Sequence, residues 1–183
     1  MECRLATEDD LPQIKNMYRA IIDRMEADGI RIWDDVYPCE FFHDDIENAR
    51  LYVLTEGDVI AAAFALSDSH AGEGSVTWSD DQAKACYLDR LGVSVRFARR
   101  GVGSAALREA RTLACERGAR YLRLFVVDAN EPAIGLYRKN GFSRAAGVRV
   151  EQIDDALALR EFGFELEIPA GIFETCHAVR PLR

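Results

Sequence analysis

The sequence feature that most constrains the fold is a strand–helix–strand pattern across residues 85–127. An apolar run at 85–95 leads into an arginine- and glycine-containing segment, a helical pattern at 101–118 and a nearly all-apolar run at 121–127. A continuous apolar strand is typical of a sheet that is covered on both faces. Because such connections between parallel strands are almost always right-handed, the pattern predicts a right-handed parallel unit inside an α/β sheet.

Hydrophobic periodicity predicts further elements on either side of this unit. Thr7 and Asp10 resemble a capping box at the start of a helix that stops before Gly29. Two strand-like runs flank residues 56–58, which predicts a hairpin. The predicted strands outside the unit lie at residues 2–6, 51–55, 59–66, 142–150 and 157–168, and the other predicted helices lie at residues 40–48 and 132–140.

The predicted order is β-α-α-β-β-β-α-β-α-β-β, which describes a mixed sheet with helices on its faces. The length of 183 residues matches one ordinary domain, and no repeat or linker-like tract divides the chain. We therefore expect a single domain over residues 1–168 and a C-terminal tail over residues 169–183.

Composition is that of a soluble protein, with 49% hydrophobic and 30% charged residues. No apolar run approaches the roughly 20 residues of a membrane span, and the first residues lack the pattern of a signal peptide. The five cysteines are scattered without a CxxC pair, as expected for reduced thiols. We therefore expect a cytoplasmic protein without a membrane partner.

The net charge of −8 argues against nucleic acid as a partner, because binding nucleic acid requires a basic surface. The same charge favours a cationic substrate through long-range attraction. The three histidines lack metal-binding spacing, so no metal is expected. A homodimer stays open at this point.

The main chemical signal is the segment Arg99-Arg100-Gly101-Val102-Gly103-Ser104, which lies between a predicted strand and a predicted helix. The first turn of a helix carries unpaired N–H groups and the positive end of the helix dipole. Glycines allow a phosphate to approach the main chain closely, and the arginines add positive charge. These features together suit a pyrophosphate group.

Three interpretations of this segment compete. In the first, Gly101 and Gly103 serve only a tight turn, and the arginines are solvated. In the second, residues 101–106 match the dinucleotide pattern G-x-G-x-x-A, with Asp128 as the ribose-binding acid. That pattern normally follows its strand almost at once, whereas residues 96–100 intervene here. The third interpretation is a loop that binds coenzyme A.

The third interpretation depends on a resemblance to a known family. Leu91-Gly92-Val93 and Arg100-Gly101-Val102-Gly103 resemble the strand end L-x-V and the loop R/Q-x-x-G-x-G/A of the GNAT (general control-related) N-acetyltransferase superfamily. Ala98 replaces the Arg or Gln that usually opens this loop, which removes one side-chain contact but leaves the main-chain N–H groups. Residues 130–142 resemble the second family motif, N-x-x-A-x-x-L-Y-x-x-x-G-F.

This resemblance implies a fold and a cofactor, acetyl-CoA. The fold is a central mixed, mostly antiparallel sheet of about seven strands, flanked by helices on both faces, with a splayed central parallel strand pair. The pantetheine arm would enter at the splay, and the loop amides would hold the pyrophosphate. The implied cofactor-binding residues are Leu91, Gly92, Val93, Arg99, Arg100, Gly101, Val102, Gly103, Ser104, Asn130 and Tyr137.

The resemblance also implies catalytic roles. Tyr137 matches the position whose hydroxyl protonates the leaving thiolate, although a core tyrosine is the alternative. The Val93 N–H would donate to the oxyanion. Tyr87 and Asp89 share one strand face at positions where family members often carry a base. Asp89 would either relay a proton through water or form a salt bridge, for instance with Arg90.

The acceptor side of the site is predicted from residues 29–38, which are rich in aromatic and acidic side chains and resemble a segment of some bacterial family members. Trp33 would wall the amine site and Asp34 would attract a cation, with Tyr87 as a further substrate contact. A packed loop anchored by Trp33 is the alternative. We therefore expect transfer of an acetyl group to a primary amine of a small molecule or protein in a ternary complex. A non-catalytic acyl-CoA-binding or sensing module is the alternative function.

Overall fold

The structure, a computed structural model, describes residues 1–34, 37–152 and 158–169. Eight strands form one sheet in the order β1-β2-β3-β4-β5-β8-β6, with β7 also paired to β8. The strands are β1 (Glu2–Leu5), β2 (Leu51–Glu56), β3 (Val59–Ser67), β4 (Ala85–Val93), β5 (Tyr121–Val127), β6 (Ser143–Arg144), β7 (Arg149–Gln152) and β8 (Ala158–Glu167). The α-helices are α1 (Leu11–Ala27), α2 (Phe42–Glu47), α3 (Val102–Glu116) and α4 (Glu131–Lys139).

The expected mixed sheet is confirmed. Strands β4 and β5 run parallel, whereas the pairs β1–β2, β2–β3, β5–β8, β6–β8 and β7–β8 are antiparallel. By its internal contacts the chain divides into two compact units. The first contains Met1–Leu66 and Asp89–Ala106, and the second contains Ser67–Leu88 and the chain from Leu107 onwards.

The first unit is built around α1. The predicted capping box is present, since the Asp10 carboxylate accepts the Thr7 N–H at 2.8 Å, but it caps a 3₁₀ turn over Glu8–Asp10 that leads into α1. Gly29, with φ +79°, ends the helix as predicted, because a left-handed residue is a common helix stop. The apolar face of α1 carries Ile14, Met17, Tyr18 and Ile21, all of which belong to one buried core with residues of β2 and β3.

The second unit is built around β5, which pairs with β8 along its whole length, from Tyr121↔Glu167 to Val127↔Glu161. Arg123 of β5 and Glu165 of β8 are buried cross-strand partners with 3.4 Å between Nε and Oε2. The Arg123 guanidinium also donates to the Asp80 carbonyl at 2.7 Å. This buried ion pair therefore ties the loop before β4 to the sheet.

The predicted strand at 142–150 was wrong in its continuity. After Ala145 donates to the Gly163 carbonyl at 2.9 Å, Ala146 leaves β8 and pairs with Thr77 instead. Gly147, with φ +101°, then turns the chain back to β7. This detour divides the predicted strand into β6 and β7, so the sheet has eight strands where about seven were expected.

The predicted strand at 85–95 ends earlier, at Val93. Ser94 still donates to the Ala61 carbonyl of β3 at 2.9 Å, but Phe97 donates back to the Ser94 carbonyl at 2.8 Å and closes a 3₁₀ turn over Val95–Phe97. The predicted tail at 169–183 lies outside the described residues except for its first one.

Candidate functional site

The arginine- and glycine-containing loop forms the entry to α3, as predicted. Arg99 and Gly101 both have left-handed φ angles, of 60° and 80°. The Gly101 carbonyl accepts the Ala105 N–H at 3.0 Å, which makes Gly101 the residue that caps the helix. The N–H groups of residues 102–104 therefore lie in the first turn of α3, at the positive end of the helix dipole.

The surroundings of this loop are open and positively charged. A side chain at Gly101 would meet no atom within 4 Å, so the left-handed φ angle, and not crowding, requires glycine there. Arg100 is 57% exposed, with its guanidinium 4.9 Å from the Phe97 ring and 3.8 Å from the Glu56 carboxylate. Arg96 and Arg99 are exposed as well. First-turn amides, the positive end of a helix dipole and exposed arginines in one place fit a diphosphate group.

The end of β4 contains a close contact that the sequence did not indicate. A side chain at Gly92 would lie 2.6 Å from Cζ and 2.8 Å from the hydroxyl of Tyr18 on α1. The Tyr18 hydroxyl donates to the Arg90 carbonyl and lies 3.2 Å from the Ala63 carbonyl of β3. Burial raises the pKa of Tyr18, so its hydroxyl stays a hydrogen-bond donor.

The main chain of β4 presents alternate residues to opposite edges. Ser94 donates to β3, so the Val93 N–H points away from β3. The parallel register between β4 and β5 comprises Ala85↔Tyr121, Cys86↔Leu122 and Tyr87↔Arg123. In the described part of the chain, this register therefore ends before Leu91 and Val93, whose main-chain groups the resemblance assigns to the pantetheine arm.

Between these positions lies Arg90, whose φ angle of 53° is left-handed. Its guanidinium contacts the buried carboxylate of Asp45 on α2, with 2.7 Å between Nη2 and Oδ2. Burial lowers the pKa of Arg90, but the carboxylates of Asp45 and Asp89 outweigh that effect and raise it overall. Asp89 is half-buried, and its charge acts on the Arg90 guanidinium. Asp45 forms a direct ion pair with Arg90.

Asn130 opens the second family motif just before α4, and Tyr137 of the same motif lies on α4. The Asn130 side-chain oxygen accepts the Ala133 N–H at 3.2 Å and caps the helix. Tyr137 is buried, with ring centroids 5.8 Å from Phe142 and 6.2 Å from Phe164. Asn130 therefore has a structural role, and the roles of both residues toward a cofactor stay predictions.

The three predicted substrate residues lie in different surroundings. Trp33 packs against Tyr18, with 5.5 Å between ring centroids. Asp34 accepts the Tyr37 N–H at 2.7 Å and donates its own N–H to the Tyr37 carbonyl at 3.0 Å. This turn fixes the chain beside Trp33. Of the predicted acceptor segment at residues 29–38, residues 35 and 36 lie outside the described residues.

Tyr87 belongs to the second unit, where it is buried in an aromatic cluster. Its ring centroid lies 6.3 Å from Trp78 and 5.8 Å from His70. Burial raises the pKa of Tyr87, while a hydrogen bond with Arg123 opposes that effect. The structure thus joins Tyr87 to the buried Arg123–Glu165 pair, and its contact with a substrate stays a prediction.

Neither a metal-binding cluster nor a membrane-spanning helix is present in the described residues. Within residues 1–34, 37–152 and 158–169, no group of three or more His, Cys, Asp and Glu side chains could hold a metal ion. In the same part of the chain, no helix is both long and apolar enough to cross a membrane.

Known proteins share both the sequence pattern and the fold. The model of the acetyltransferase (GNAT) family matches residues 14–142. The N-acetyltransferase YesJ of Bacillus subtilis strain 168, which is described as uncharacterized, is 26% identical over 141 residues, covering 75% of this chain and 78% of YesJ.

Solved structures extend the likeness over more of the chain. A GNAT-family acetyltransferase from Streptococcus agalactiae 2603 aligns with a TM-score of 0.71 and 19% identity, over 92% of this chain and 95% of that one. A ribosomal-protein-alanine N-acetyltransferase from Brucella melitensis aligns with a TM-score of 0.68 and 19% identity, over 92% of this chain and all 100% of that one. These two likenesses concern the fold, whereas the family match covers most of the sequence. The chain belongs to the acetyltransferase (GNAT) family and is an acyltransferase.

Proposed function

We propose that this protein is an acetyl-CoA-dependent N-acetyltransferase that transfers the acetyl group directly to a primary amine in a ternary complex. The observation that carries the proposal is the start of α3. There, residues 102–104 present first-turn amides, Gly101 leaves open space, and exposed arginines surround them. This combination suits the diphosphate of coenzyme A.

The residues of the first unit fit the cofactor in two separate places. The loop Arg99–Ser104 would hold the diphosphate by main-chain N–H groups, with the arginines adding charge. Leu91 and Val93 would pair with the pantetheine arm as a neighbouring strand does, because their main-chain groups are not part of the β4–β5 register. Gly92 would contribute indirectly, since its N–H and missing side chain serve the contact with Tyr18.

Bound acetyl-CoA would supply an acyl group activated as a thioester. The Val93 N–H would donate a hydrogen bond to the acyl oxygen, where negative charge develops. The Tyr137 hydroxyl would deliver a proton to the sulfur. Asp89 would accept the amine proton through water.

The acceptor that we propose is a primary amine of a small molecule or of a protein. Trp33, packed on Tyr18, would form an apolar wall. The acidic character of the whole chain, with a net charge of −8, would attract an amine that is cationic at neutral pH.

Two measurements test this function. Calorimetric titration with CoA and acetyl-CoA measures binding, and thiol release from acetyl-CoA over a panel of small amines and peptide N-termini measures transfer. We expect binding together with turnover on at least one amine. Folded protein that binds no CoA would overturn the proposal, and tight binding without turnover on any amine would favour a non-catalytic acyl-CoA sensor.

A further inference from the structure

The left-handed residue Arg90 lies inside β4, between Asp89 and Leu91. Residues other than Gly, Asn and Asp rarely adopt this conformation because their Cβ approaches the following carbonyl oxygen. Such a residue persists where its surroundings determine it. At Arg90, both the side chain and the main chain are held from outside the strand.

The side chain is held by α2. Asp45 is 1% exposed, and its Oδ2 lies 2.7 Å from Nη2 and 3.0 Å from Nε of Arg90. The other carboxylate oxygen, Oδ1, accepts from Nε of Arg50 at 3.2 Å. The Phe41 ring packs on the Arg90 guanidinium, with 5.2 Å from Cζ to the ring centroid. Asp45 therefore satisfies two guanidinium groups at once in a buried place.

The main chain is held by α1. The Arg90 carbonyl accepts the Tyr18 hydroxyl, and the Gly92 N–H donates to the same hydroxyl oxygen. These two bonds bracket Leu91 on both sides. The direction of the Leu91 and Val93 main chain thus depends on contacts made by Tyr18 and Asp45, neither of which belongs to β4.

We propose that Asp45 is a positioning residue for the coenzyme: through Arg90, it fixes the main chain of Leu91–Val93 in the orientation that pairs with the pantetheine arm. This inference rests on the proposed function. The proposal predicts different effects on two parts of the coenzyme. The diphosphate would be held by the amides of Arg99–Ser104, whereas the pantetheine arm would pair with Leu91–Val93. Loss of the Asp45 charge should therefore weaken the hold on the arm and leave the hold on the diphosphate intact.

The test compares two probes, CoA and ADP, in calorimetric competition titrations of the full chain. ADP carries a diphosphate but no pantetheine arm. The Asp45→Asn variant keeps the shape of the side chain but has only one acceptor oxygen. In the wild type, Arg90 uses one carboxylate oxygen of Asp45 and Arg50 uses the other. We expect its affinity for CoA to fall at least about tenfold, while its affinity for ADP stays within about twofold of the wild type.

Asp44→Asn is the matched control, because Asp44 is the neighbouring carboxylate, is 62% exposed and contacts Arg50 but not Arg90. It should leave both affinities unchanged. Arg90→Met is the second variant, for use if Asp45→Asn does not fold. It keeps an apolar side chain against Phe41, and it should likewise lower the affinity for CoA but not for ADP. If a folded variant loses affinity for CoA and ADP equally, or loses no affinity for CoA, the role of Asp45 is overturned while the proposed function stands. A wild-type chain that binds no CoA would overturn the proposed function as well.

Discussion

Tyr18 fills the space that any side chain at position 92 would need, since the first carbon of such a side chain would lie 2.6 Å from Cζ of the phenol ring. The middle residue of Leu91-Gly92-Val93 is therefore explained by the packing of α1 on β4. The same phenol accepts the Gly92 N–H and donates to the Arg90 carbonyl. One helix side chain thus sets both the spacing and the hydrogen bonding of this strand.

Gly92→Ala should destabilise the protein, because the added methyl group collides with a fully buried ring. Overpacking of this kind typically costs about 1–3 kcal/mol. Chemical denaturation monitored by circular dichroism measures the change in the free energy of unfolding. Gly135→Ala is the control, since it lies inside α4 with open space around it and should be neutral or stabilising. Equal stability of Gly92→Ala and the wild type would contradict the close contact.

Gly101→Ala should weaken the binding of CoA, because alanine at φ +80° carries a strain of roughly 1–2 kcal/mol that a shift of the loop would relieve. Such a shift would misdirect the first-turn amides of α3. Gly101→Asn is the informative partner, since asparagine tolerates the left-handed region better than alanine. Titration with CoA should rank the affinities wild type, then asparagine, then alanine, and the reverse order of the two variants would argue against a role for the φ angle.

Tyr137→Phe should lower kcat for thiol release by about 10²-fold or more, the usual contribution of a positioned proton donor. KM should change little, since the ring contacts with Phe142 and Phe164 need no hydroxyl. Tyr52→Phe is the control, because Tyr52 is likewise buried and stacks on Phe64 at 5.5 Å. A variant with unchanged kcat would reduce Tyr137 to a core residue.

Asp10 should make the stability of the first unit depend on pH. Its hydrogen-bonded ion pair with Arg4 lowers the pKa of this carboxyl to about 2, below the ordinary value of about 3.9 that applies in the unfolded chain. A carboxyl with a lowered folded pKa stabilises the protein fully above the unfolded value, and this contribution is lost as the pH falls toward the folded value. The difference in unfolding free energy between the wild type and Asp10→Asn should therefore be larger at pH 6 than at pH 3, and a constant difference would refute it.

Removing one partner of the buried Arg123–Glu165 pair should be strongly destabilising. Both side chains are almost fully buried, and breaking such a pair leaves a charge uncompensated at a cost of about 3–5 kcal/mol. Arg123→Met should therefore cost more than Arg120→Met, which breaks an exposed pair with Glu167. The double change Arg123→Met with Glu165→Met should recover part of the loss, and a purely additive double variant would contradict direct coupling.

Much of the fold could be predicted because its elements carry local signals. The hairpin of β2 and β3, the strand β5, the capping box at Thr7 and the end of α1 were confirmed, and each was predicted from periodicity, turn residues or caps. The division of the strand after Phe142 could not be predicted, because it depends on the partner that Ala146 finds at Thr77, far away along the chain. The hydrophobic pattern of a sequence predicts which residues are buried, but it does not indicate which strand a segment pairs with.

The same distinction applies to the candidate site. The loop at the start of α3 follows from its own residues, since glycine, arginine and a helix start are visible in sequence. The network of Tyr18, Asp45 and Arg90 could not be predicted, because it joins residues 72 and 45 positions apart. In the sequence, Tyr18 looks like any apolar position of a helix. Asp45 looks like an ordinary charged residue on a short helix.

The amides at the start of α3 belong to the peptide unit itself, and every amino acid except proline provides one. The side chains at positions 102–104 can therefore be exchanged without loss of the main-chain N–H donors, provided that the residue at position 101 tolerates a φ angle of 80°. Two kinds of substitution should therefore be excluded from this loop: a β-branched residue at position 101 and a proline at any of positions 102–104.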